Sequence, residues 1–447
     1  MKIIQIPYCF YPDAVGGTEV YVESLSRHLQ KDGFEVIISA PTVGLNQTYF
    51  HNALKVRRFT ISQKPDNLSE FYGKGDRKGA EEFAKIVDEE KPDLVHIHAF
   101  TWGISVYLVR EIKKRNIPVV FTYHTPTASC QRGTLLFWGK RVCDGKLLLR
   151  RCTRCVLHGL GLPRGIAQLV SYMPVATNDI LQKANFSGGI WTALRMSGLI
   201  SIRQQTFGVF TSEADHIIAV CEWVKEVLSR NGVSEKKISV VRQGLSNEGI
   251  PNDEKEASVY DVDGQSLHII YLGRVNPIKG IDVILRAIKA SPKVPIELHI
   301  YGVVQSRQEQ RYLQKLKRIA ASDPRILFKN SVSNEEIMPL LKRYHALAVP
   351  SQWLETGPLV VLEAFSARIP VIGSNRGGIA ELVKDGVNGI LVKAGDVKAW
   401  SKILKKCCND KKILGQLRLG IYKPHTMNYV ASEIKRLYIR IINGQSR

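Results

Sequence analysis

The sequence predicts an α/β protein built from two doubly wound domains, and three observations support this prediction. The chain has 447 residues, enough for two large domains or three of average size. Short apolar runs rich in β-branched residues alternate with segments of helical periodicity, as in parallel sheets covered by helices on both faces. The alternation restarts after a polar, acidic segment at residues 246–265, where we place the domain boundary.

The first half of the chain carries the first set of strands and helices, and we assign residues 1–248 to it. We interpret Met1–Phe10 as a buried strand, because it lacks the positively charged region and cleavage site of a signal peptide. A cytoplasmic location is therefore expected. Gly16 and Gly17 open a helix with apolar residues at every fourth position. The predicted strands of this half are Ile3–Pro7, Val36–Ser39, Leu94–Ile97, Val119–Tyr123, Ile217–Val220 and Ile238–Val241.

The second half repeats the pattern over residues 249–420, and a last helical segment occupies residues 421–447. A helical segment follows each strand, so parallel β-α-β units are expected. The predicted strands of this half are Leu267–Leu272, Ile296–Tyr301, Ile326–Phe328, Ala346–Val349 and Val371–Ile372.

An insertion at residues 126–210 interrupts the first domain. Residues 126–164 are rich in Cys, Arg and Gly, and the remainder has a helical pattern without a strand. We expect the first part to be a basic loop without its own core. Four cysteines fall within it and include one C-x-x-C pair; they are Cys130, Cys143, Cys152 and Cys155. Four thiolates can hold a tetrahedral structural zinc ion, while an iron–sulfur cluster and free or redox-active thiols remain open alternatives.

The charge of the chain is strongly basic and unevenly distributed. Lys and Arg number 63 against 41 Asp and Glu, a formal net charge of +22. Two segments, 130–164 and 401–447, carry much of the excess. Such segments favour polyanionic partners, here phosphorylated ligands or an anionic membrane surface, although an ordinary solvated basic surface is an alternative. Nucleic acid is disfavoured, because neither segment has a binding module or interleaved aromatic residues.

The longest informative motif follows the strand at residues 346–349 and reads PSQWLETGPLVVLEA. Glu355 lies in the polar loop, and Glu363 lies inside a helix that begins near Pro358, a residue tolerated at the first helical position. The N–H groups of Leu359 and Val360 would favour an anion at the start of this helix. Ligands of open α/β sheets bind at this edge, although two surface glutamates near a helix start are the simpler reading.

A second motif, GRVNPIKG, follows the first strand of the second half. Arg274 offers a planar fork to phosphate oxygens, and Lys279 offers a point charge. Because carboxyl ends of parallel strands share one edge, both cations are expected at the same edge as the two glutamates. Solvated loop charges would be the simpler reading of this motif alone.

Together these motifs, with GGIAELVKDGVNG at residues 377–389, resemble the donor-site motifs of family-4 retaining glycosyltransferases of the GT-B fold. Glu355 and Glu363 match the E-x7-E pair of that family. The sequence GGTE at residues 16–19 is similar to the family's glycine loop, and Tyr429–Ile442 to the helix that crosses back to the first domain. The resemblance implies two Rossmann-like domains facing a central cleft, the first on the acceptor side and the second binding a nucleotide sugar.

The resemblance also implies roles for the residues of the second domain. Arg274 and Lys279 would neutralise the donor diphosphate. Glu363 would hold the ribose hydroxyls, and Glu355 would contact the sugar hydroxyls. Further donor contacts are implied for Gly357, Leu359 and Val360.

Two residues of the first domain receive roles from the same resemblance. Gly17 would offer its N–H to the phosphate or sugar, and His124 would stand beside the transferred sugar. A core histidine at a strand end is the alternative for His124, and His98 is a weaker candidate on the acceptor side. The implied catalytic residues are Glu355, His124, Arg274 and Lys279.

The function implied is a retaining hexosyltransferase that moves a sugar from a nucleotide-diphosphate donor to a saccharide or lipid-linked acceptor. We expect it to act in bacterial polysaccharide or glycolipid synthesis, peripherally at the inner membrane face, with no cofactor required for catalysis. No carboxylate is clearly positioned as a nucleophile, which favours front-face displacement assisted by the leaving phosphate. Two alternatives stay open: a nucleotide-sugar epimerase of the same fold and a catalytically inactive nucleotide-sugar-binding scaffold.

Overall fold

The chain forms two compact units. The first comprises Met1–Arg242 with Val430–Arg447, and the second comprises Gln243–Tyr429. The boundary predicted at residues 248 and 249 lies outside the described residues. The computed structural model describes residues 1–13, 16–186, 188–246, 266–410 and 412–445.

The first unit is built around an eight-stranded sheet, counted over its described residues. All six strands predicted for the first half are present, with bounds shifted by a few residues at most. The order is β10-β9-β6-β5-β1-β2-β4-β3, parallel except for the edge strand β3, while β7 and β8 form a separate hairpin. In chain order the strands are β1 (Lys2–Ile6), β2 (Glu35–Thr42), β3 (Gln47–His51), β4 (Leu54–Thr60), β5 (Leu94–Ile97), β6 (Val119–Tyr123), β7 (Leu136–Phe137), β8 (Arg141–Val142), β9 (His216–Ala219) and β10 (Ile238–Val240).

The hairpin of β3 and β4 was not predicted from the sequence. The apolar run of β4 is interrupted by basic residues, which hid its strand character. In the folded unit these bases are paired: Arg57 Nη1 donates to Glu90 Oε1 at 2.6 Å, and Lys55 Nζ donates to the same oxygen at 2.7 Å. A tertiary ion pair therefore allows a charged segment to join the sheet.

The helices of the first unit cover the sheet and form the segment that interrupts it. The first helix buries Tyr21, Leu25 and Leu29, the residues whose fourfold spacing predicted it. In chain order the helices are α1 (Gly17–Lys31), α2 (Arg77–Glu90), α3 (Val106–Lys113), α4 (Leu149–Gly159), α5 (Arg164–Val170), α6 (Thr177–Lys183), α7 (Gly189–Glu213) and α8 (Glu222–Arg230).

Residues 126–210 add no strand to the main sheet in the part of this segment that the structure describes. The helical pattern of its second part is confirmed. The expectation of a loop without a core was wrong, because α4 lies within the basic stretch and its Val156 and Leu157 pack with Met196 and Leu199 of α7. The segment therefore contributes most of a small hydrophobic core, which Tyr72 from outside the segment completes.

The second unit contains a six-stranded sheet, entirely parallel within its described residues, in the order β13-β12-β11-β14-β15-β16. All five strands predicted for the second half are present. These strands are β11 (Leu267–Arg274), β12 (Ile296–Val303), β13 (Ile326–Lys329), β14 (Ala346–Val349), β15 (Val371–Ser374) and β16 (Gly389–Val392). The helices that follow in the chain are α9 (Ile281–Lys289), α10 (Arg307–Ala320), α11 (Asn334–Leu341), α12 (Leu359–Ser366), α13 (Gly377–Leu382), α14 (Val397–Asn409), α15 (Lys412–Leu419) and α16 (Met427–Gln445).

Two hydrophobic cores flank the sheet of the second unit, so helices cover both of its faces. The edge strand β16 was missed, because its apolar run has only three residues and directly follows a turn-forming segment; Ile390 and Leu391 at its centre are only partly buried. Strands β11 and β14 are neighbours, so the loops that leave their carboxyl ends emerge at one edge. The two parallel, doubly wound sheets confirm the predicted fold class. No described helix is long and apolar enough to cross a lipid bilayer.

Candidate functional site

The centre of the site in the second unit is a short ion pair between the two predicted motifs. Lys279 ends a 3₁₀ turn after β11, and its Nζ lies 2.7 Å from Glu355 Oε1 in the loop after β14. The Ser351 hydroxyl donates to the same oxygen at 2.8 Å. Burial would raise the pKa of Glu355, but the Lys279 charge and these hydrogen bonds outweigh it, and the pKa is lowered. Glu355 is therefore a fixed, ionised acceptor at the sheet edge.

The second cation has a different partner. Arg274, the last residue of β11, lies with its Nη2 2.6 Å from Oε1 of Glu309, in the first turn of α10. The Glu309 side chain is only 2% exposed, whereas half of the Arg274 side chain remains exposed. Burial opposes ionisation of Glu309, but hydrogen bonds from the Gln305 N–H and from Arg274 lower its pKa. The buried carboxylate thus orients an exposed guanidinium.

Glycines let three loops approach closely around the ion pair. Gly280 has φ +69°, and a Cβ there would lie 2.0 Å from the Pro350 carbonyl oxygen. Gly377 has φ +50°, and its neighbour Gly378 donates its N–H to the Glu355 carbonyl at 2.6 Å. A side chain at these positions would collide with the backbone beside Glu355. Gly280, Gly377 and Gly378 therefore allow their two loops to pack closely against the loop that carries Glu355.

The helix after the Glu355 loop begins one residue later than predicted. Pro358 is the N-cap and Leu359 the first helical residue, so the N–H groups of Leu359 and Val360 belong to the first turn. The first N–H groups of a helix have no acceptor within the helix. Glu363 lies in the second turn, where burial raises its pKa to about 7. The pKa is therefore lowered for Glu355 and raised for Glu363.

The first unit has its own polar cluster at the ends of β5 and β6. His98 Nδ1 lies 2.9 Å from His124 Nε2, and both side chains are buried. Burial lowers the pKa of His124 to about 3 and that of His98 well below its usual value. Both rings are therefore neutral near pH 7. Gly17 begins α1, preceded by Gly16, whose N–H donates to the Glu19 carboxylate at 2.8 Å.

The four cysteines of residues 126–164 line one cavity of the first unit. None of the four forms a disulfide, and burial raises the pKa of Cys152 to about 11 against the opposing effect of a Leu148 backbone hydrogen bond. Over the described ranges, no group of three or more His, Cys, Asp or Glu side chains is arranged to hold a metal ion. The structural zinc stays a prediction.

The predicted site residues thus fall into separate clusters. The structure joins Lys279 directly to Glu355 but pairs Arg274 with Glu309, which the sequence analysis missed. Little in the sequence indicated Glu309, because it is one of many charged residues in a polar helix that follows a predicted strand. The histidine cluster was seen in part, and the alternating pattern of His96 and His98 could have indicated a shared face of β5.

Comparison with protein families supports the motif assignments. The family described as "Glycosyl transferases group 1" matches residues 252–422, and the family "Glycosyltransferase Family 4" matches residues 15–158. The two matches follow one another along the chain and leave residues 159–251 unmatched.

Individual relatives are distant in sequence. The chain is 26% identical to the uncharacterised glycosyltransferase MJ1069 of Methanocaldococcus jannaschii over 99% of both chains. It is 28% identical to MJ1607 of the same organism, over 51% of this chain and 60% of that one. It is 25% identical to the D-inositol 3-phosphate glycosyltransferase of Mycolicibacterium smegmatis, over 43% of this chain and 45% of that one. For these last two relatives, therefore, the matched part spans less than two thirds of their length.

Solved structures share the fold along the whole chain. Sucrose-phosphate synthase from Thermosynechococcus elongatus superposes with a TM-score of 0.70 at 18% identity, covering 99% of both chains. Anabaena HepE, solved in complex with UDP and glucose, gives a TM-score of 0.62 at 17% identity, covering 98% of this chain and 99% of that one. With the family matches and the two doubly wound sheets, these likenesses lead to one conclusion: the chain belongs to the family-4 glycosyltransferases of the GT-B fold.

Proposed function

We propose that this glycosyltransferase is a retaining enzyme that transfers a sugar from a nucleoside-diphosphate donor to a saccharide or lipid-linked acceptor. The observation that carries the proposal is the Lys279–Glu355 pair at the carboxyl edge of the second sheet, beside the start of α12. A cation, an ionised acceptor and helix N–H groups at one edge suit a ligand that combines phosphate with hydroxyl groups. The UDP and UDP-glucose complexes of HepE make uridine nucleotides the first donors to test.

The chemical demand of the reaction matches these groups. When the bond between the anomeric carbon and the phosphate oxygen breaks, its electron pair remains on the leaving nucleoside diphosphate. Arg274 and Lys279, with the N–H groups of Leu359 and Val360, would stabilise this charge. Glu363 would accept hydrogen bonds from the ribose hydroxyls, and Glu355 from hydroxyls of the sugar.

The hydrogen bonds of the Glu355 carboxylate bear on how the configuration could be retained. This carboxylate is already engaged by Lys279 and Ser351, which suits a fixed hydrogen-bond acceptor better than an attacking nucleophile. We therefore favour front-face displacement, in which the acceptor oxygen attacks as the phosphate leaves. The proton of the acceptor hydroxyl would pass to an oxygen of the departing phosphate. Gly17 and His124 keep the sugar-contacting roles that the family resemblance implies for them.

A panel of nucleotide sugars tests this proposal. Release of nucleoside diphosphate with each donor is followed by enzyme-coupled assay, and the anomeric configuration of the product is read by NMR. A transferase releases diphosphate and keeps the configuration of the donor. Interconversion of sugars without net diphosphate release would indicate an epimerase. Calorimetric binding of nucleoside diphosphate without any turnover would indicate a scaffold.

A surface of the first unit supports an acceptor at an anionic membrane. Between residues 160 and 190, eight large apolar side chains are exposed on the mutually packed helices α4 to α7 and their connections. Basic residues accompany them, including exposed Arg164 and Lys183, and Arg150, whose guanidinium lies 4.5 Å from the Tyr172 ring centre. Apolar side chains flanked by cations suit a bilayer containing anionic lipid. The eight residues are Leu160, Ile166, Leu169, Tyr172, Val175, Ile180, Phe186 and Ile190.

Vesicle sedimentation tests whether this surface binds an anionic membrane. The protein should bind vesicles containing phosphatidylglycerol more strongly than vesicles of phosphatidylcholine alone. Leu169→Glu should weaken that binding severalfold. Leu45→Glu is the matched control, because Leu45 is similarly exposed, at 81% against 73% for Leu169, but lies outside this surface. Equal binding by both variants and the unmodified protein would exclude the surface as the membrane contact.

A further inference from the structure

A continuous chain of hydrogen bonds runs through the core of the first unit and ends at His124. His124 Nε2 lies 2.9 Å from His98 Nδ1, and His98 Nε2 lies 2.6 Å from Gln5 Oε1 on β1. The three side chains are at most 4% exposed. Because β1, β5 and β6 are adjacent parallel strands, side chains at or just beyond their ends meet on one face.

The C-terminal helix α16 supplies the centre of this chain. The Tyr438 hydroxyl accepts from Gln5 Nε2 at 3.1 Å and lies 2.5 Å from His96 Nδ1. The other nitrogen of His96 lies 2.6 Å from the Thr122 hydroxyl. Tyr438, Gln5 and His96 are completely buried. Residues 433 positions apart thus share one hydrogen-bond network.

The direction of donation along the chain follows from the chemistry of each group. A neutral histidine has one N–H donor and one acceptor nitrogen. With the Gln5 amide N–H directed to Tyr438, its oxygen accepts from His98, so the proton of His98 is on Nε2. His98 Nδ1 is then an acceptor, and His124 must donate from Nε2. The remaining nitrogen of His124, Nδ1, is therefore an acceptor.

We propose that Tyr438 and Gln5 are positioning residues that fix the tautomer of His124, with its proton on Nε2 and its lone pair on Nδ1. This inference rests on the proposed function only for the expected effect on turnover. The network itself requires no ligand. Reversing every donor and acceptor would also satisfy the chain, but it would place the proton of His124 on Nδ1. The protonation state of that one nitrogen therefore decides the proposal.

The Tyr438→Phe variant of the full chain is the main test, because it removes one hydroxyl and keeps the buried ring. Nitrogen-15 NMR of histidine-labelled protein reports which ring nitrogen carries the proton, and a His124→Gln sample assigns the His124 signals. Tyr21→Phe is a matched control: the Tyr21 ring lies 5.0 Å from the His124 ring, and its buried hydroxyl has no hydrogen-bond partner within the described structure. Gln5→Met interrupts the chain at a second position if Tyr438→Phe folds poorly.

We expect a single His124 tautomer protonated at Nε2 in the unmodified protein and in Tyr21→Phe, and a mixture in Tyr438→Phe and Gln5→Met. With a donor and acceptor in hand, kcat of these two variants should fall roughly tenfold at nearly unchanged KM, less than the ~10²–10⁴-fold contributed by a general acid–base group itself. A proton on Nδ1 in the unmodified protein, or an unchanged tautomer in both variants, would overturn the proposal. Because the NMR result needs no turnover, absence of transferase activity would count only against the proposed function.

Discussion

Replacing Lys279 by glutamine is the most direct perturbation of the site. Glutamine still donates a hydrogen bond to Glu355 but carries no charge. If Lys279 stabilises the leaving diphosphate, kcat should fall by roughly 10²–10³, the typical loss for one preorganised electrostatic group. At about 1.4 kcal/mol per factor of ten, this corresponds to about 3–4 kcal/mol of transition-state stabilisation.

The same variant has a separate, smaller effect on stability. Glu355 is 8% exposed and Lys279 27% exposed, so removing the cation leaves a buried carboxylate with weaker compensation. We expect a loss of roughly 1–3 kcal/mol, at the lower end because Lys279 is partly solvated and glutamine still donates. The lowered pKa of Glu355 contributes stability above its unfolded pKa, and this contribution disappears as pH falls through the folded pKa. In the variant the folded pKa rises towards or above the unfolded value, so acid should destabilise the variant less than the unmodified protein, relative to the stability of each at pH 7.

The assay measures diphosphate release under saturating donor, with thermal unfolding recorded from pH 4 to pH 8. Lys293→Gln is the control, since Lys293 is an exposed lysine of the same unit outside the site. The reasoning predicts a large loss of kcat that exceeds any change explained by stability. A Lys279→Gln enzyme with kcat within a few-fold of the unmodified protein would refute the role assigned to Lys279.

Three further predictions follow from the structure. Because burial raises the pKa of Glu363 to about 7 and ribose hydroxyls bind the ionised form, nucleoside diphosphate affinity by calorimetry should increase from pH 6 to pH 8, and Glu363→Gln should reduce that dependence to the part caused by ionisation of the terminal phosphate, whose pKa is about 6. Metal analysis of purified protein tests the zinc predicted from the four cysteines of the sequence: a zinc site requires one zinc per chain and a lower melting temperature in Cys152→Ser at unchanged donor KM, and absence of both zinc and iron would reject the metal site. Gly280→Ala should destabilise the second unit by roughly 1–3 kcal/mol, because its φ is +69° and a Cβ would meet the Pro350 oxygen at 2.0 Å, whereas Gly415→Ala, with no atom within 4 Å, should be neutral or stabilising by calorimetry.

Much of the fold was predictable because buried parallel strands are continuous apolar runs. Leu94–Ile97, Val119–Tyr123 and Ala346–Val349 have the bounds that the sequence predicted. The misses have local causes: charged residues interrupt the apolar run of β4, and β16 begins at a glycine directly after the turn-forming residues 385–388. Their strand character depends on partners elsewhere in the chain, such as Glu90 for β4.

The site was predictable to the same extent. Lys279 and Glu355 were identified because each follows a strand, and the carboxyl ends of parallel strands share one edge. The partner of Arg274 was not identified, since Glu309 lies 35 residues away on a polar helix and nothing in its neighbourhood marks it. Charge pairing between loops and helices depends on three-dimensional proximity rather than on local pattern.

Local sequence alone therefore determined the doubly wound fold class, most strands of the two sheets and the residues at the edge of the second sheet, because hydrophobic periodicity and loop position are properties of adjacent residues. Only the tertiary structure decided which groups are held together: the Glu309 that orients Arg274, the core of residues 126–210, and the contact of Tyr438 with Gln5. These depend on contacts between distant parts of the chain, and a hydrogen bond between positions 5 and 438 leaves no trace in the sequence around either residue.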